Sequence, residues 1–317
     1  MPPFPRPSVD YSYDPAREVR ALRRWRDQEP ATPERAGGRL VVATWNVANL
    51  GVHERTDADH RLIAEIVGWF DLVAIQEVAD DLAGLRAVMG HLPRRYRLLV
   101  SDTQGNDERA AFLYDSRRVE LLELVGRLAI PPADLRHIRL PGLAATFQGF
   151  DRSPYLAAFR ASGFRCTFAN VHLFFGGESP ADIARRQLEA YAIGRWADLR
   201  SRDPHAYAPD IVALGDFNLP RVEPGDPIYR ALTRRGLALP PHSARIASSI
   251  MSESHYDQLA FVPNLTGAEF TGQIGVFDFD GAVFADLWER ARRPTFLSYV
   301  RYHLSDHRPL WAAFRTG

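Results

Sequence analysis

The 317-residue sequence contains no lysine, and all 39 of its basic residues are arginine. That absence excludes a phosphate-loop lysine, Schiff-base chemistry and serine–lysine dyads. Arginine suits bidentate phosphate contacts, but a high-GC coding bias explains its exclusive use more simply. Cysteine is nearly absent too. Cys166 has no partner for an internal disulfide and lies inside an apolar run, where an inert buried thiol is expected rather than a nucleophile. Net charge is also lacking, because 39 acidic residues balance the arginines, so no basic tail announces nucleic acid. No apolar run approaches the roughly 18 residues of a membrane span. Met1–Asp14 is rich in proline without the apolar core of a secretory signal. With the single thiol, these features favour the cytoplasm.

What is present is the composition of a soluble globular protein, 46% hydrophobic and 25% charged, long enough for one large domain. Asp14-Pro15 predicts a helix start, followed by Val19, Leu22 and Trp25 among Arg17, Arg20, Arg23 and Arg24: a solvated helix docked through Leu22 and Trp25, or one whose arginines contact nucleic acid. Gln28 to Gly38 has linker composition. Residues 1–38 therefore form an N-terminal extension, and residues 39–317 the main domain. Helical patterns cover Ala58–Phe70, Asp80–Leu92 and Ala181–Arg200. Apolar runs at Leu40–Ala43, Leu72–Ile75, Tyr96–Ser101, Ala110–Tyr114, Val119–Val125, Tyr155–Arg160, Phe164–Val171 and Ile211–Leu214 predict strands. The pairs around Leu98 and Phe112, and around Ala158 and Phe168, are spaced for hairpins. Hairpins mixed with helix-separated strands predict two packed sheets with helices outside.

Six short pieces place polar residues where these runs stop or close by: Thr44-Trp45-Asn46, Gln76-Glu77, Asn170-Val171-His172, Gly215-Asp216-Phe217-Asn218, Tyr256-Asp257-Gln258 and Ser305-Asp306-His307. A carboxylate at the end of a buried strand is costly unless paired or metal-bound. Glu77 and Asp306, with Asn46 in support, have the oxygen donors that hard cations require. Asp216 and Asn218 are two apart and, on an extended segment, face the same way; they suit the attacking water, a phosphate oxygen or a second metal. His172 and His307 suit proton transfer near neutral pH. Each needs an orienting carboxylate, for which Glu108 and Asp257 are candidates. Val276 to Gly281 resembles the nucleophile motif of haloacid-dehalogenase phosphatases, but too little chain follows it for that fold. Asp278 and Asp280 are expected in a loop at the rim.

The ordered set Trp-Asn, Gln-Glu-Val, Asn-Val-His-Leu, Gly-Asp-Phe-Asn, Tyr-Asp-Gln and Ser-Asp-His-Arg-Pro resembles the endonuclease/exonuclease/phosphatase superfamily, the deoxyribonuclease I-like enzymes, from about Leu40 to Trp311. The resemblance implies a four-layer α/β sandwich of two mixed β-sheets flanked by helices, with residues 39–317 as the catalytic domain. It implies Mg²⁺-dependent phosphoester hydrolysis, with Mn²⁺ or Ca²⁺ as alternatives. It implies a principal metal site of Asn46, Glu77 and Asp306, with Asp216 and Asn218 at the nucleophile and phosphate. It pairs Asp257 with His307 and Glu108 with His172, and directs Arg152 at the scissile phosphate. The chain departs from deoxyribonuclease I in carrying Ala79-Asp80-Asp81 and Asn106 where that enzyme has groove-binding arginine and tyrosine.

The expected activity is a metal-dependent phosphodiesterase acting on nucleic acid, either DNA or RNA. Either His307 deprotonates water while His172 protonates the leaving oxygen, or Asp216 is the base and His307 binds phosphate. The rival is a phosphomonoesterase or phospholipase-like enzyme acting on inositol phosphates or sphingomyelin, with Leu173–Gly177 as its one candidate membrane loop. An inactive scaffold is the non-enzyme alternative, and an intact set of six motifs argues against it. A net-neutral protein that binds nucleic acid needs a local positive rim, for which Arg109, Arg152 and the N-terminal arginines are the candidates.

Overall fold

The computed structural model describes residues 3–28, 35–241 and 246–317. Most of the expected linker, residues 29–34, lies outside the described residues. The first helix, α1 (Pro15–Gln28), begins where Asp14 Oδ1 accepts the Ala16 amide at 2.9 Å. It is followed by β1 (Arg39–Leu50), α2 (Asp57–Val67), β2 (Leu72–Ala79), α3 (Ala83–His91), β3 (Tyr96–Val100), β4 (Glu108–Asp115) and β5 (Glu120–Arg127). A one-turn α4 (Pro132–Leu135) precedes the hairpin β6 (Tyr155–Ala161) and β7 (Phe164–His172), the long α5 (Pro180–Ser201), β8 (Asp210–Asp216) and α6 (Pro227–Thr233). The chain closes with β9 (Asp257–Phe261), β10 (Phe270–Val276), α7 (Ala285–Arg290), α8 (Arg293–His303) and β11 (Leu310–Arg315). Among the described residues no helix is long and apolar enough to cross a membrane.

Two mixed sheets result, with strand orders β10-β11-β1-β2-β4-β3 and β5-β6-β7-β8-β9. The strand period of two builds the layers. In β1, Val41, Ala43 and Trp45 pack toward the helical layer, while Leu40 and Val42 join the core between the sheets. In the second sheet Phe168, Val212 and Leu214 face that same central core, and Ala169, Val171, Ile211 and Ala213 face α5 and α6. Because both faces are covered, the runs read as continuous apolar stretches rather than alternations. Cys166 is fully buried in the central core, and burial pushes its thiol well up. The order is helix, sheet, sheet, helix.

Mixed pairing also places the site. β1 and β2 run parallel, whereas β4 and β11 run antiparallel to them. The C-terminal ends of β1 and β2 therefore lie level with the starts of β4 and β11. In the second sheet β7 and β8 are parallel and β9 is antiparallel to β8. Asn46, Glu77, Glu108, His172, Asp216, Asp257 and Asp306 thus gather at one edge of the sandwich.

The N-terminal residues share the main core. Val19 and Leu22 are buried in the cluster that contains Ile63, Ile66 and Phe284, and Tyr11, Tyr13 and Trp25 pack against it. Glu18 Oε2 accepts the Phe284 amide at 2.7 Å. We predict that Leu22→Ala, at a fully buried position, lowers stability by about 2–5 kcal/mol. Urea denaturation measures this; a change within about 0.5 kcal/mol, the scale of a neutral surface substitution, would show that α1 is merely appended.

Candidate active site

Two irregularities in the first sheet aim the site's side chains. The β1–β2 register shifts between Asn46 and Leu50, and the β2–β4 register between Ile75 and Val78. Such bulges turn side chains out of the regular alternation. Asn49 and Glu77 both take left-handed backbone, φ 53° and 58°, which is strained for non-glycine residues. The bulge carries the Glu77 carboxylate to Asn46: its Oε1 accepts from Asn46 Nδ2 at 2.8 Å, and its Oε2 accepts from the Asn49 amide at 2.9 Å. Asn46 Nδ2 also donates to Asp216 Oδ2 at 3.1 Å.

Asn46 Oδ1 is left buried without a hydrogen-bond partner. Its neighbour Asp306 makes no hydrogen bond to another side chain among the described residues. Burial pushes its carboxyl up to about 6, partly relieved by His307 and reinforced by Glu77. An unsatisfied amide oxygen beside two carboxylates, one without a donor, is the donor chemistry of a hard cation. The described residues hold no cluster of three or more His, Cys, Asp or Glu side chains that would enclose a metal alone. The fitting set has an amide and two carboxylates, so an ion there would complete its shell with water or substrate oxygens, as Mg²⁺ does.

The histidines stand on either side of Asp216. His307 Nδ1 is 2.7 Å from Asp257 Oδ2, and its Nε2 is 3.8 Å from Asp216 Oδ2. Burial opposes charge on this imidazole, but Asp257 and Asp216 outweigh it and hold the ring's pKa well up. His172 Nδ1 is 3.3 Å from Glu108 Oε2, and its Nε2 is 3.7 Å from Asp216 Oδ2. Burial would raise Glu108, but the bond and charge of His172 hold it down at about 2, with Arg152 adding to them. Asp216 is likewise lowered against its burial, because both imidazoles face it and the Asn218 amide donates to it. Gly215 permits this placement: it sits at φ 149°, and a Cβ there would meet the Val171 carbonyl oxygen at 1.9 Å.

Two expectations need correction. Asp216 and Asn218 do not share an extended segment. Asn218 is left-handed, φ 47°, its amide donates to Asp216 Oδ1 at 2.8 Å, and its side chain donates to the Leu173 carbonyl. The tight turn replaces the strand because Asp216 can satisfy a backbone donor two residues on. Arg152 lines the same small pocket as Glu77, Glu108 and His172; its Nε and Nη2 donate to the carbonyls of His172 and Leu173, and Nη1 lies 3.3 Å from Asp151 and 3.8 Å from Glu108. The expected positive rim is largely neutralised. Arg109 pairs with Asp80 at 2.6 Å, Arg17 with Asp286 and Arg23 with Glu65.

Other motif residues stitch the scaffold. Gln76 Nε2 donates to Asn170 Oδ1 at 2.6 Å, and Asn170 Nδ2 donates to the carbonyls of Ile75 and Ala111, tying the two sheets beneath the site. Ser305 Oγ donates to the Asn46 carbonyl and accepts the His307 amide. Trp45 Nε1 donates to the His307 carbonyl at 2.7 Å. Asp278 and Asp280 lie just beyond β10 and pair with Arg308, at 3.3 and 2.6 Å, which braces the chain beside His307. Sequence inspection missed Arg55. It is buried, and its guanidinium donates to the carbonyls of Ala48, His303 and Leu304, joining the end of β1 to the segment that carries Asp306. Nothing around Arg55 in the sequence marks it, since its partners are backbone carbonyls, those of His303 and Leu304 far along the chain.

No family model matches the chain. A curated deoxyribonuclease from Thioalkalivibrio sp. (strain K90mix) is 29% identical over 299 residues, covering 89% of this chain and 73% of the relative. A solved endonuclease/exonuclease/phosphatase family protein from Bacteroides thetaiotaomicron superposes with a TM-score of 0.56 at 19% identity, covering 87% of this chain and 94% of that one. The chain has the deoxyribonuclease I-like fold of the endonuclease/exonuclease/phosphatase superfamily. D. rerio TDP2 complexed with single strand DNA product has the same fold, with a TM-score of 0.57 at 16% identity over 88% of this chain and 99% of that one. In this fold the two sheets meet at the edge where Asn46, Glu77, His172, Asp216 and His307 converge.

Proposed function

We propose that the chain is a divalent-metal-dependent phosphodiesterase that hydrolyses nucleic acid. The observation that carries the proposal is Asp216 lying between two imidazoles, 3.7 and 3.8 Å away, beside the oxygen donors of Asn46, Glu77 and Asp306. The chemistry of a Mg²⁺ or Mn²⁺ ion on those donors is Lewis-acid polarisation of a phosphoryl oxygen. Asp216, held ionised, accepts the proton of the attacking water. His172, oriented by Glu108, gives a proton to the leaving oxygen. His307, kept charged by Asp257 and Asp216, holds a phosphate oxygen. Arg152 positions His172 through its carbonyl.

The nucleic-acid assignment is supported by the curated deoxyribonuclease relative and by the shared fold of the single strand DNA complex. The apolar loop that a lipid substrate would call for is partly covered, with Phe175 still exposed. Phe174 lies under the Arg185 guanidinium at 4.0 Å and Phe175 under Arg186 at 5.1 Å, the geometry of cation–π pairs.

The test is purified protein with Mg²⁺ or Mn²⁺ against plasmid, single-stranded DNA, RNA, inositol phosphates and sphingomyelin in parallel. Turnover of DNA or RNA, with KM rising as NaCl increases over the equivalent of about two to four phosphate contacts, is the expected result. A flat salt profile with turnover confined to inositol phosphates or sphingomyelin would overturn the nuclease assignment and leave the metal site standing.

A further inference from the structure

We infer that an arginine-lined cavity between α5, α6 and the segment after α4, outside the active site, binds a phosphate group. The cavity measures about 460 Å³ and is lined by Arg139, Arg195, Arg234, Arg235, His137 and Tyr191. It exists because two helices approach closely. A Cβ on Gly194 of α5 would meet the Leu232 carbonyl oxygen of α6 at 2.4 Å, so only glycine lets α6 settle there. That contact sets Arg234 and Arg235 beside Tyr191 and Arg195, and the segment holding His137 and Arg139 closes the third side.

The charges are not balanced within the cavity. Arg235 Nη2 pairs with Asp198 at 2.6 Å, yet its Nε is buried with no hydrogen-bond partner. Arg195 reaches Asp134 only at 3.9 Å. Asp198 is shared with Arg202. Arg139 and Arg234 engage no partner among the described residues, nor does the Tyr191 hydroxyl. Single unpaired arginines occur elsewhere on the surface, but here four of them share one space. Four guanidinium groups around one space repel each other. A phosphate relieves that repulsion and matches the planar fork of each guanidinium; a hydroxyl such as that of Tyr191 supplies a further donor.

For a strand held at the active site to place a phosphate here, it must run along α5. The start of α5 is tied to the active site, where Arg186 Nη1 lies 3.5 Å from the Asn218 carbonyl oxygen. From Arg186 to Arg195 the helix rises about 14 Å at ~1.5 Å per residue. A free phosphate would use the same donors. The proposal does not depend on the nuclease assignment, because binding is measured without turnover.

The variant is Arg139→Gln/Arg234→Gln, at two exposed residues outside the catalytic machinery. The control is Arg20→Gln/Arg24→Gln on α1, which removes the same charge elsewhere. All binding is measured in EDTA. One arm follows the melting temperature in inorganic phosphate against chloride of equal ionic strength. The other follows the anisotropy of a fluorescein-labelled single-stranded DNA 12-mer. Phosphate should raise the melting temperature of the wild type and of the control, and the cavity variant should lose most of that rise. The variant's Kd for the 12-mer should increase about tenfold, its salt slope should fall by about 1.4 for two lost contacts on a single strand, and its turnover of bis(4-nitrophenyl) phosphate should be unchanged. Loss of the phosphate effect with unchanged 12-mer affinity would support a site for free phosphate rather than a strand. Equal behaviour of variant and wild type in both arms, or an equal loss in the control, would overturn the proposal.

Discussion

Asp306→Asn should lower kcat by at least ~10²-fold, the scale on which removal of a preorganised electrostatic group acts, while raising the stability of the metal-free protein. The two effects have opposite signs for one reason. Asp306 has no side-chain donor, and burial together with Glu77 raises its carboxyl to about 6 from 3.8. A carboxyl whose folded pKa lies above its unfolded value favours the protonated fold, so metal-free stability declines as pH rises from about 4 through about 6. The amide of asparagine removes that cost and with it the charge that a cation needs. Glu77→Ala should lose activity by a similar factor, but it also strips Asn46 Nδ2 and the Asn49 amide of their acceptor, so stability falls as well. EDTA should silence the wild type, and cation affinity should weaken as pH drops below about 6, where the proton competes for Asp306. Calorimetric titration with Mg²⁺ and thermal melts across pH 5 to 8 report both quantities. Full activity in EDTA would sink the metal assignment, and a loss of stability in Asp306→Asn would show that this carboxylate is held by partners rather than waiting for a cation.

The second large effect concerns the histidines. His172→Ala and His307→Ala should each reduce kcat by roughly 10²–10⁴-fold, as expected for groups that hold or transfer a proton in the transition state. The double variant should lose far less than the product. Both Nε2 atoms face the same Asp216 oxygen, so removing one imidazole changes the charge balance that the other depends on. Single-turnover rates on a DNA substrate give the comparison. Multiplying losses would mean that the two rings work separately, against a shared network centred on Asp216.

Much of the fold could be read from apolar runs, because strands covered on both faces leave continuous hydrophobic stretches. The start of α1 was visible in Asp14-Pro15, because Asp14 caps the backbone locally; α2 was read from its apolar pattern, and its Thr56–Asp59 cap appears only in the structure. The last strands were harder. β10 carries Gly272, Gln273 and Gly275 and pairs through a shifted register, so it shows no strand period; β9 is short, and only its pairing with β8 defines it. The N-terminal helix was legible as a helix that docks through Leu22 and Trp25, but not the residues that receive it, Ile63 and Phe284, because they lie far away in sequence.

The candidate site divides the same way. Residue types and order by themselves determined which side chains have hard-cation and proton-transfer chemistry: Asn46, Glu77, His172, Asp216, Asp257, Asp306 and His307. Chemistry of this kind resides in the side chain and needs no coordinates. Only the tertiary structure decided how they are used. It folded Asn218 back on Asp216, tied Arg152 to the His172 and Leu173 carbonyls, assigned Gln76 and Asn170 to joining the sheets, and brought in Arg55 and the arginine cavity. Those outcomes depend on bulges, on carbonyl acceptors and on the approach of helices, which are properties of backbone paths; residue identity does not encode them locally.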